Sequence, residues 1–156
     1  MNWSLFSFAG RANRAKYWLI SLCATAYVIT TTFVVIFAVK EQVPRPTIVA
    51  LSLIWAIGIL LLMWPFIAVG VKRLHDRNKS GWWLLLFSPT PGILQVFART
   101  TMQGPLHYST TGLVALFVAT GISIWGFIEL GCLRGTVGQN RFGPDPLGTP
   151  VEHMFE

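Results

Sequence analysis

An uncharged stretch of 23 residues near the amino terminus, YWLISLCATAYVITTTFVVIFAV (Tyr17 to Val39), decides the fold. At about 1.5 Å per residue, a helix of this length crosses a hydrocarbon core of roughly 30 Å. A cleaved signal peptide has a shorter apolar region, about 7 to 15 residues, followed by small residues at a cleavage site, whereas this run ends in AVKEQ. The stretch is therefore predicted to be a retained transmembrane helix.

Two more apolar runs are long enough to span a bilayer. The second of the two contains a charged residue, Glu129, at its predicted cytoplasmic end, where interfacial water is expected to solvate it. Residues 49–71 form a second uncharged run of 23, in which Pro65 removes one backbone donor and predicts a kink. Residues 112–130 form another span, with Ala115, Ala119 and Ser123 spaced four apart. Small side chains on one helix face predict close packing against a neighbouring helix.

The run between these two is weaker, because residues 82–97 number only 16 and are interrupted by SPTPG at 88–92. It is expected to be either a short or kinked span or a re-entrant loop. The expected fold is an all-α integral membrane protein with four transmembrane helices, of which the third is short or kinked. Residues 1–156 are expected to form a single membrane domain with spans at about 17–39, 49–71, 82–97 and 112–130 and a tail at 131–156.

Composition agrees with a lipid environment, because 53% of the residues are hydrophobic and only 12% are charged. A soluble fold needs a charged surface, whereas a surface that contacts lipid tails does not. The net charge of +6 fits either a nucleic-acid footprint or basic residues on the cytoplasmic side of a bilayer. Because the basic residues flank apolar runs, anionic lipids are the expected partner and nucleic acid is not.

The distribution of Lys and Arg predicts the orientation. Four spans with a cytoplasmic amino terminus place nine basic residues inside and three outside: Arg11, Arg14, Lys16, Lys72, Arg73, Arg77, Lys79, Arg134 and Arg141 against Lys40, Arg45 and Arg99. If the third segment is re-entrant, eight basic residues lie inside and four lie outside. The rule mildly favours four spans, with both termini cytoplasmic.

Three polar segments then share the cytoplasmic face: FAGRANRAKYW at 8–18, RLHDRNKSGWW at 73–83 and GQNRFGPDPLG at 138–148. Asp76 is expected to pair with an arginine, and Ser80 to cap the helix that follows it. Arg141 and Asp145 are expected to meet Asp76 and Arg73 in a polar network. That network either holds loop and tail together or offers a binding surface.

At these segments the chain resembles the bacterial "domain of unknown function 805" family of small inner-membrane proteins. The resemblance runs from about residue 8 to residue 148 and implies a multi-pass inner-membrane protein without an established activity. The candidate platform comprises Gly10, Arg11, Arg14, Tyr17, Trp18, Arg73, His75, Asp76, Ser80, Gly81, Trp82, Asn140, Arg141, Gly143, Pro144, Asp145 and Pro146.

No catalytic or cofactor motif stands out. The adjacent His75 and Asp76 could begin a metal site, but only His107 and His153 remain as further histidines, so a hydrogen-bonded pair is the preferred interpretation. No phosphate-binding glycine loop, GxSxG motif or Cys/His constellation is found, and Cys23 and Cys132 are interpreted as small buried fillers. No cofactor and no metal are expected.

The function expected from these features is non-enzymatic: a membrane scaffold or accessory subunit whose platform engages lipid headgroups or a protein partner. Small-residue packing also permits a homo-oligomer. The alternative is a small-molecule transporter or channel-like carrier, suggested by the broken third segment and Pro65, because interrupted helices line binding sites in transporters. An enzyme that acts on lipid ranks third.

Overall fold

The computed structural model describes residues 7–104 and 107–148. In chain order, the elements are α1 (Arg14–Lys40), α2 (Arg45–Asp76), α3 (Trp83–Phe87), α4 (Pro89–Thr100), β1 (Met102–Gly104), β2 (His107–Tyr108), α5 (Thr110–Phe127) and a π-helical turn (Ile128–Cys132). The fold is helical apart from β1 and β2, which form one short antiparallel pair. Residues 149–156 of the expected tail, including His153, lie outside the described residues.

Three helical segments in the described part of the chain are long and apolar enough to cross a membrane: Arg14–Lys40, Arg45–Asp76 and Thr110–Cys132. They correspond to the first, second and fourth expected spans. Their large apolar side chains are mostly exposed, with Leu61 at 70% and Phe117 at 78%. Such side chains are as favourable against lipid tails as in a protein core, because lipid tails are equally apolar.

Helices α1 and α2 form an antiparallel hairpin. Asn13 begins α1 by accepting a hydrogen bond from the Lys16 amide at 3.0 Å. The link between the helices ends at Pro44, and α2 then continues through Pro65 to Asp76. Tyr27 joins the two helices by donating its hydroxyl to the Ile54 carbonyl at 2.8 Å.

The third expected span is divided into α3 and α4, which are separated by Ser88 alone. The break is narrower than the expected SPTPG interruption, because proline is tolerated in the first turn of a helix and α4 begins at Pro89. The expectation that Ser80 caps α3 is wrong. Trp82 occupies the cap position without a side-chain hydrogen bond, and Ser80 contributes only its carbonyl, which accepts from the Trp83 amide.

Helix α5 packs antiparallel to α3 and α4. Gly126, near its carboxyl end, lies against the Phe87 ring, while Gly112, in its first turn, lies against Thr101 just after α4. Ala115 and Ala119 are buried, as the small-residue pattern predicts, whereas Ser123 is exposed. The interpretation of Cys23 and Cys132 as buried residues is wrong, because both are exposed. The π-helical turn after α5 delivers the chain to the ends of α1 and α2.

Candidate functional site

The polar site lies where the start of α1, the end of α2 and the chain after α5 meet. We call this region, residues 10–14, 72–79 and 129–145, the cap. Its centre is the Asp76 carboxylate, which is buried between two arginines. Arg11 donates Nε to Asp76 Oδ1 at 3.0 Å, and Arg73 donates Nη1 to Oδ2. All three side chains are at most 4% exposed.

The remaining donors of the two arginines bind backbone carbonyls of the π-helical turn and the tail. Arg73 donates Nε to the Leu130 carbonyl at 2.8 Å and Nη2 to that of Leu133. Arg11 donates to the carbonyls of Gly138 at 2.6 Å, Gly143 at 3.3 Å and Thr136. Burying a charge is expensive unless it is paired and hydrogen-bonded, and here the tail supplies those bonds.

The backbone conformation of the tail allows it to pack around Arg11. Gly138 and Gly143 adopt positive φ angles of 77° and 136°, a region that strains residues with a side chain. Gly135 lies so close to the Asp76 carboxylate that an added Cβ would overlap it. The glycines of this segment therefore shape the tail to the buried ion pairs.

Backbone hydrogen bonds reinforce the same junctions. The Thr136 amide donates to the Asp76 carbonyl at 2.8 Å, and the Ala12 amide donates to the Lys72 carbonyl at 3.1 Å. The Asn140 side-chain amide donates to the His75 carbonyl at 2.9 Å. These bonds join the end of α2 to the segment before α1 and to the tail.

His75 is held by its own partners at the edge of the cap. Its ring stacks on Phe142 with centroids 3.8 Å apart and planes 4° apart, and its Nδ1 lies 3.2 Å from the Gly10 carbonyl. The Arg141 guanidinium carbon lies 4.6 Å from the centroid of Phe142, and Nη2 donates to the Asn78 carbonyl at 3.1 Å. His75 and Asp76 are therefore adjacent in sequence but contact separate groups.

A second carboxylate, Glu129 in the π-helical turn, forms an outer cluster. Its Oε1 accepts from Arg77 Nε at 3.0 Å and lies 3.1 Å from Lys79 Nζ. Lys79 Nζ also lies 5.3 Å from the centroid of Trp83 and 5.9 Å from that of Trp125. This cluster attaches the loop between α2 and α3 to the end of α5.

Asp145 secures the last described part of the tail. Its carboxylate accepts from the amides of Leu147 at 2.9 Å and Gly138 at 3.1 Å, and Oδ1 lies 4.0 Å from Arg11 Nη2. The hydrogen bond from the Leu147 amide is the largest contribution that holds the pKa of Asp145 below its ordinary value, and the Gly138 amide adds to it. Asp145 is thus stabilised in its ionised form.

The structure brings most of the sequence-predicted residues together, but with different partners from those expected. Asp145 approaches Arg11 rather than Arg73, and Arg141 binds Asn78 rather than Asp76. Arg73 already uses its donors on Asp76, Leu130 and Leu133. The Asp76 carboxylate in turn is already occupied by Arg11 and Arg73. The predicted residues that contact the central cluster or its neighbouring tail are Gly10, Arg11, Arg14, Trp18, Arg73, His75, Asp76, Asn140, Arg141, Gly143 and Asp145.

The other predicted residues lie around or beyond the cap. Tyr17 packs against the apolar cluster beneath it. Gly81 lies against Val71, and Trp82 is 78% exposed. Pro144 and Pro146 flank Asp145 in the tail.

Sequence reasoning missed several residues that build the cap: Arg77, Lys79, Gly135, Thr136 and Phe142. Glu129 was expected to be solvated by water at the membrane interface, whereas the structure pairs it with Arg77 and Lys79. Phe142 is the one with a sequence signal, because a large aromatic residue inside a polar, glycine- and proline-rich turn needs a packing partner.

Comparison with known proteins finds similarity along most of the chain. The sequence model of the family described as "Protein of unknown function (DUF805)" matches residues 5–144. The uncharacterized protein YiiR of Escherichia coli K12 is 32% identical over 90% of this chain and 86% of its own length. The matches confirm the resemblance inferred from the three motifs.

Two further relatives from the same organism are inner membrane proteins. YhaH is 29% identical over 92% of this chain and 89% of its own length. YhaI is 30% identical over 89% of this chain and 85% of its own length. No solved structure matches the chain. The names of these relatives assign no activity.

Proposed function

This chain belongs to the DUF805 family of inner-membrane proteins, and we propose that it is a non-enzymatic scaffold or accessory subunit whose cap is a cytoplasmic-face platform. The platform engages lipid headgroups or a protein partner. The observation that carries this proposal is the arrangement of the charged side chains of Arg11, Arg73 and Asp76. Their charges are buried and bonded to one another and to the tail, which suits a structural platform better than a reactive centre.

The proposed topology is four membrane crossings with both termini in the cytoplasm. The end of α2 and the tail after α5 are in contact, which supports an even number of crossings between them. If α5 crosses once, then α3 and α4 together make the other crossing. Their 18 residues from Trp83 to Thr100 reach about 27 Å when helical, close to the hydrocarbon thickness.

Reporter fusions test this topology. A fluorescent protein that matures only in the cytoplasm should be bright when fused after residue 148, and dark when fused to a chain truncated after Thr100. Alkaline phosphatase, which is active only outside the cytoplasm, should give the reverse pattern. A bright fusion at Thr100 would indicate a re-entrant third segment.

Capture from native membranes tests the platform. Wild-type protein, Asp76→Asn and the control Glu41→Gln, which changes an exposed acid at the opposite end, are isolated with their lipids retained. We expect wild type and the control to retain the same partner or lipid set, and Asp76→Asn to lose it. Equal retention by Asp76→Asn would argue against the platform role.

A transporter is the second candidate, and one observation favours it. A cavity of about 320 Å³ lies beneath the cap and is bordered by Ser88, where α3 and α4 separate, and by Ser123 of α5. Cavities of this size are within the range of small-molecule sites. Substrate flux in proteoliposomes that stops when Ser123 is replaced by Phe, but not when exposed Thr120 is, would favour transport.

A further inference from the structure

The outer surface of the cap carries exposed arginines. Arg14 lies in the first turn of α1, and Arg134 and Arg141 lie in the tail, and all three are exposed. We call these three residues the rim. Because the cap is at the end of lipid-facing helices, the rim lies at the level where lipid headgroups are found.

The acidic residues of the cap are turned inward, which leaves the surface positive. Within the described residues, three acids at this end, Asp76, Glu129 and Asp145, stand against the nine bases that sequence analysis assigned to it. Asp76 and Glu129 are buried against basic partners, and Asp145 accepts two backbone amides. The exposed charge of the cap is therefore complementary to an anion.

Two rim side chains are held in place before any ligand arrives. Arg14 donates Nη1 to the Cys132 carbonyl at 3.0 Å, and Arg141 is fixed by the Asn78 carbonyl and by Phe142. A guanidinium has five N–H donors in a planar fork that matches phosphate oxygens. Fixing one nitrogen of an exposed arginine reduces the ordering cost of binding through the others.

Apolar side chains beside the rim favour a bilayer over a soluble acidic partner. Trp82 is 78% exposed, Val137 73% and Leu147 57%, and all three are close in sequence to cap or rim residues. Exposed apolar residues interleaved with cations are typical of surfaces that contact the boundary between headgroups and acyl chains. A lipid satisfies both kinds of side chain.

We propose that the rim binds the phosphate-bearing headgroups of anionic phospholipids. This deepens the proposed platform function and relies on it for the cytoplasmic location, where anionic headgroups attract basic residues. The proposed contacts are charge-assisted hydrogen bonds from Arg14, Arg134 and Arg141 to phosphate oxygens.

Lipid titration followed by native mass spectrometry tests the proposal. Detergent-solubilised protein is titrated separately with phosphatidylglycerol and phosphatidylcholine, and the preference is the ratio of their dissociation constants. The variants are a triple Arg14→Gln, Arg134→Gln, Arg141→Gln, the charge-retaining triple Arg→Lys at the same positions, and Lys40→Gln, Arg45→Gln, Arg99→Gln at the opposite end. Circular dichroism checks that each variant is folded.

Wild type should prefer phosphatidylglycerol, and each rim arginine lost should weaken that preference by up to about fivefold. The opposite-end triple should keep this preference, and the charge-retaining triple should keep only part of it, because lysine preserves the charge but not the planar fork. An unchanged preference in the rim Gln triple, or an equal loss in the opposite-end triple, would overturn the proposal.

Free phosphate provides a further arm. Inorganic phosphate at millimolar concentration should leave phosphatidylglycerol bound, and full displacement would show that the rim recognises the soluble anion instead. The measurement is made in detergent and does not depend on sidedness. A failure of the reporter-fusion result would therefore count against the platform's location, and a failure here against its ligand.

Discussion

The carboxylates of Asp76 and Glu129 each contact two cationic side chains of the cap, yet their surroundings differ. The partners of Asp76, Arg11 and Arg73, are at most 1% exposed, whereas the partners of Glu129, Arg77 and Lys79, are 26% and 29% exposed. Water can replace a lost partner only at the outer cluster. The inner cluster therefore fastens the fold, while the outer cluster attaches one loop at lower cost.

The largest expected effect is that of Asp76→Asn. The substitution keeps the size of the side chain but leaves Arg73 buried without a counter-charge and Arg11 with only Asp145, 4.0 Å away, which costs about 3–5 kcal/mol. Denaturant unfolding in detergent micelles measures the loss, with Glu41→Gln as the control of unchanged stability. A loss below about 1 kcal/mol would remove the distinction between the two clusters.

Gly135→Ala tests the inner cluster without removing a charge. The added methyl group would overlap the Asp76 carboxylate, so the tail must move, at an expected cost of about 1–3 kcal/mol. Gly121→Ala is the matched control, because its Cβ meets nothing within 4 Å and alanine favours the helix. Equal stability of the two variants in the same unfolding assay would contradict the close packing around Asp76.

Glu129→Gln should have a smaller effect than either. Arg77 and Lys79 remain partly exposed to water, so we expect a loss of about 1 kcal/mol. A double-mutant cycle with Lys79→Gln measures the coupling, which should be weaker than that between Asp76 and Arg73. Equal coupling energies in the two clusters would show that exposure does not distinguish them.

The smallest effect is expected at Asp145 and depends on pH. The pKa of Asp145 lies below its usual value of 3.8 in the folded protein, so its contribution to stability is complete above that value and is lost as pH falls through the folded pKa. Wild type should exceed Asp145→Asn in thermal unfolding midpoint at pH 7, and the difference should shrink below about pH 4. A difference that grows on acidification would have the wrong sign.

The long helices were predictable because hydropathy alone determines them. The observed ends of α1 and α2 extend one to five residues beyond the uncharged runs, since Arg14, Lys40 and Arg73 continue the helices into the interface. The SPTPG stretch also predicted that the third segment is interrupted. It did not show that Ser88 alone separates the two helices. Prolines 89 and 91 mark the first turn of α4 as readily as they mark a loop.

The meeting of the three polar segments was predictable from the positive-inside pattern, whereas their pairing was not. Charge distribution places Arg11, Asp76 and Arg141 on one face, but it does not say which arginine is buried. That choice depends on which backbone carbonyls between Leu130 and Gly143 accept from the arginine donors. Because every residue has a backbone carbonyl, the sequence does not show which ones do. The π-helical turn that presents Glu129 has no sequence signature of comparable strength.

Hydrogen exchange of the tail tests most directly whether Asp76 fastens it to the helix ends. The Thr136 amide, bonded to the Asp76 carbonyl, reports on this junction. In detergent or nanodiscs, a peptide containing Thr136 should exchange slowly in wild type and in Glu129→Gln, and much faster in Asp76→Asn. Unchanged exchange in Asp76→Asn would show that the tail is held by something other than the buried ion pairs.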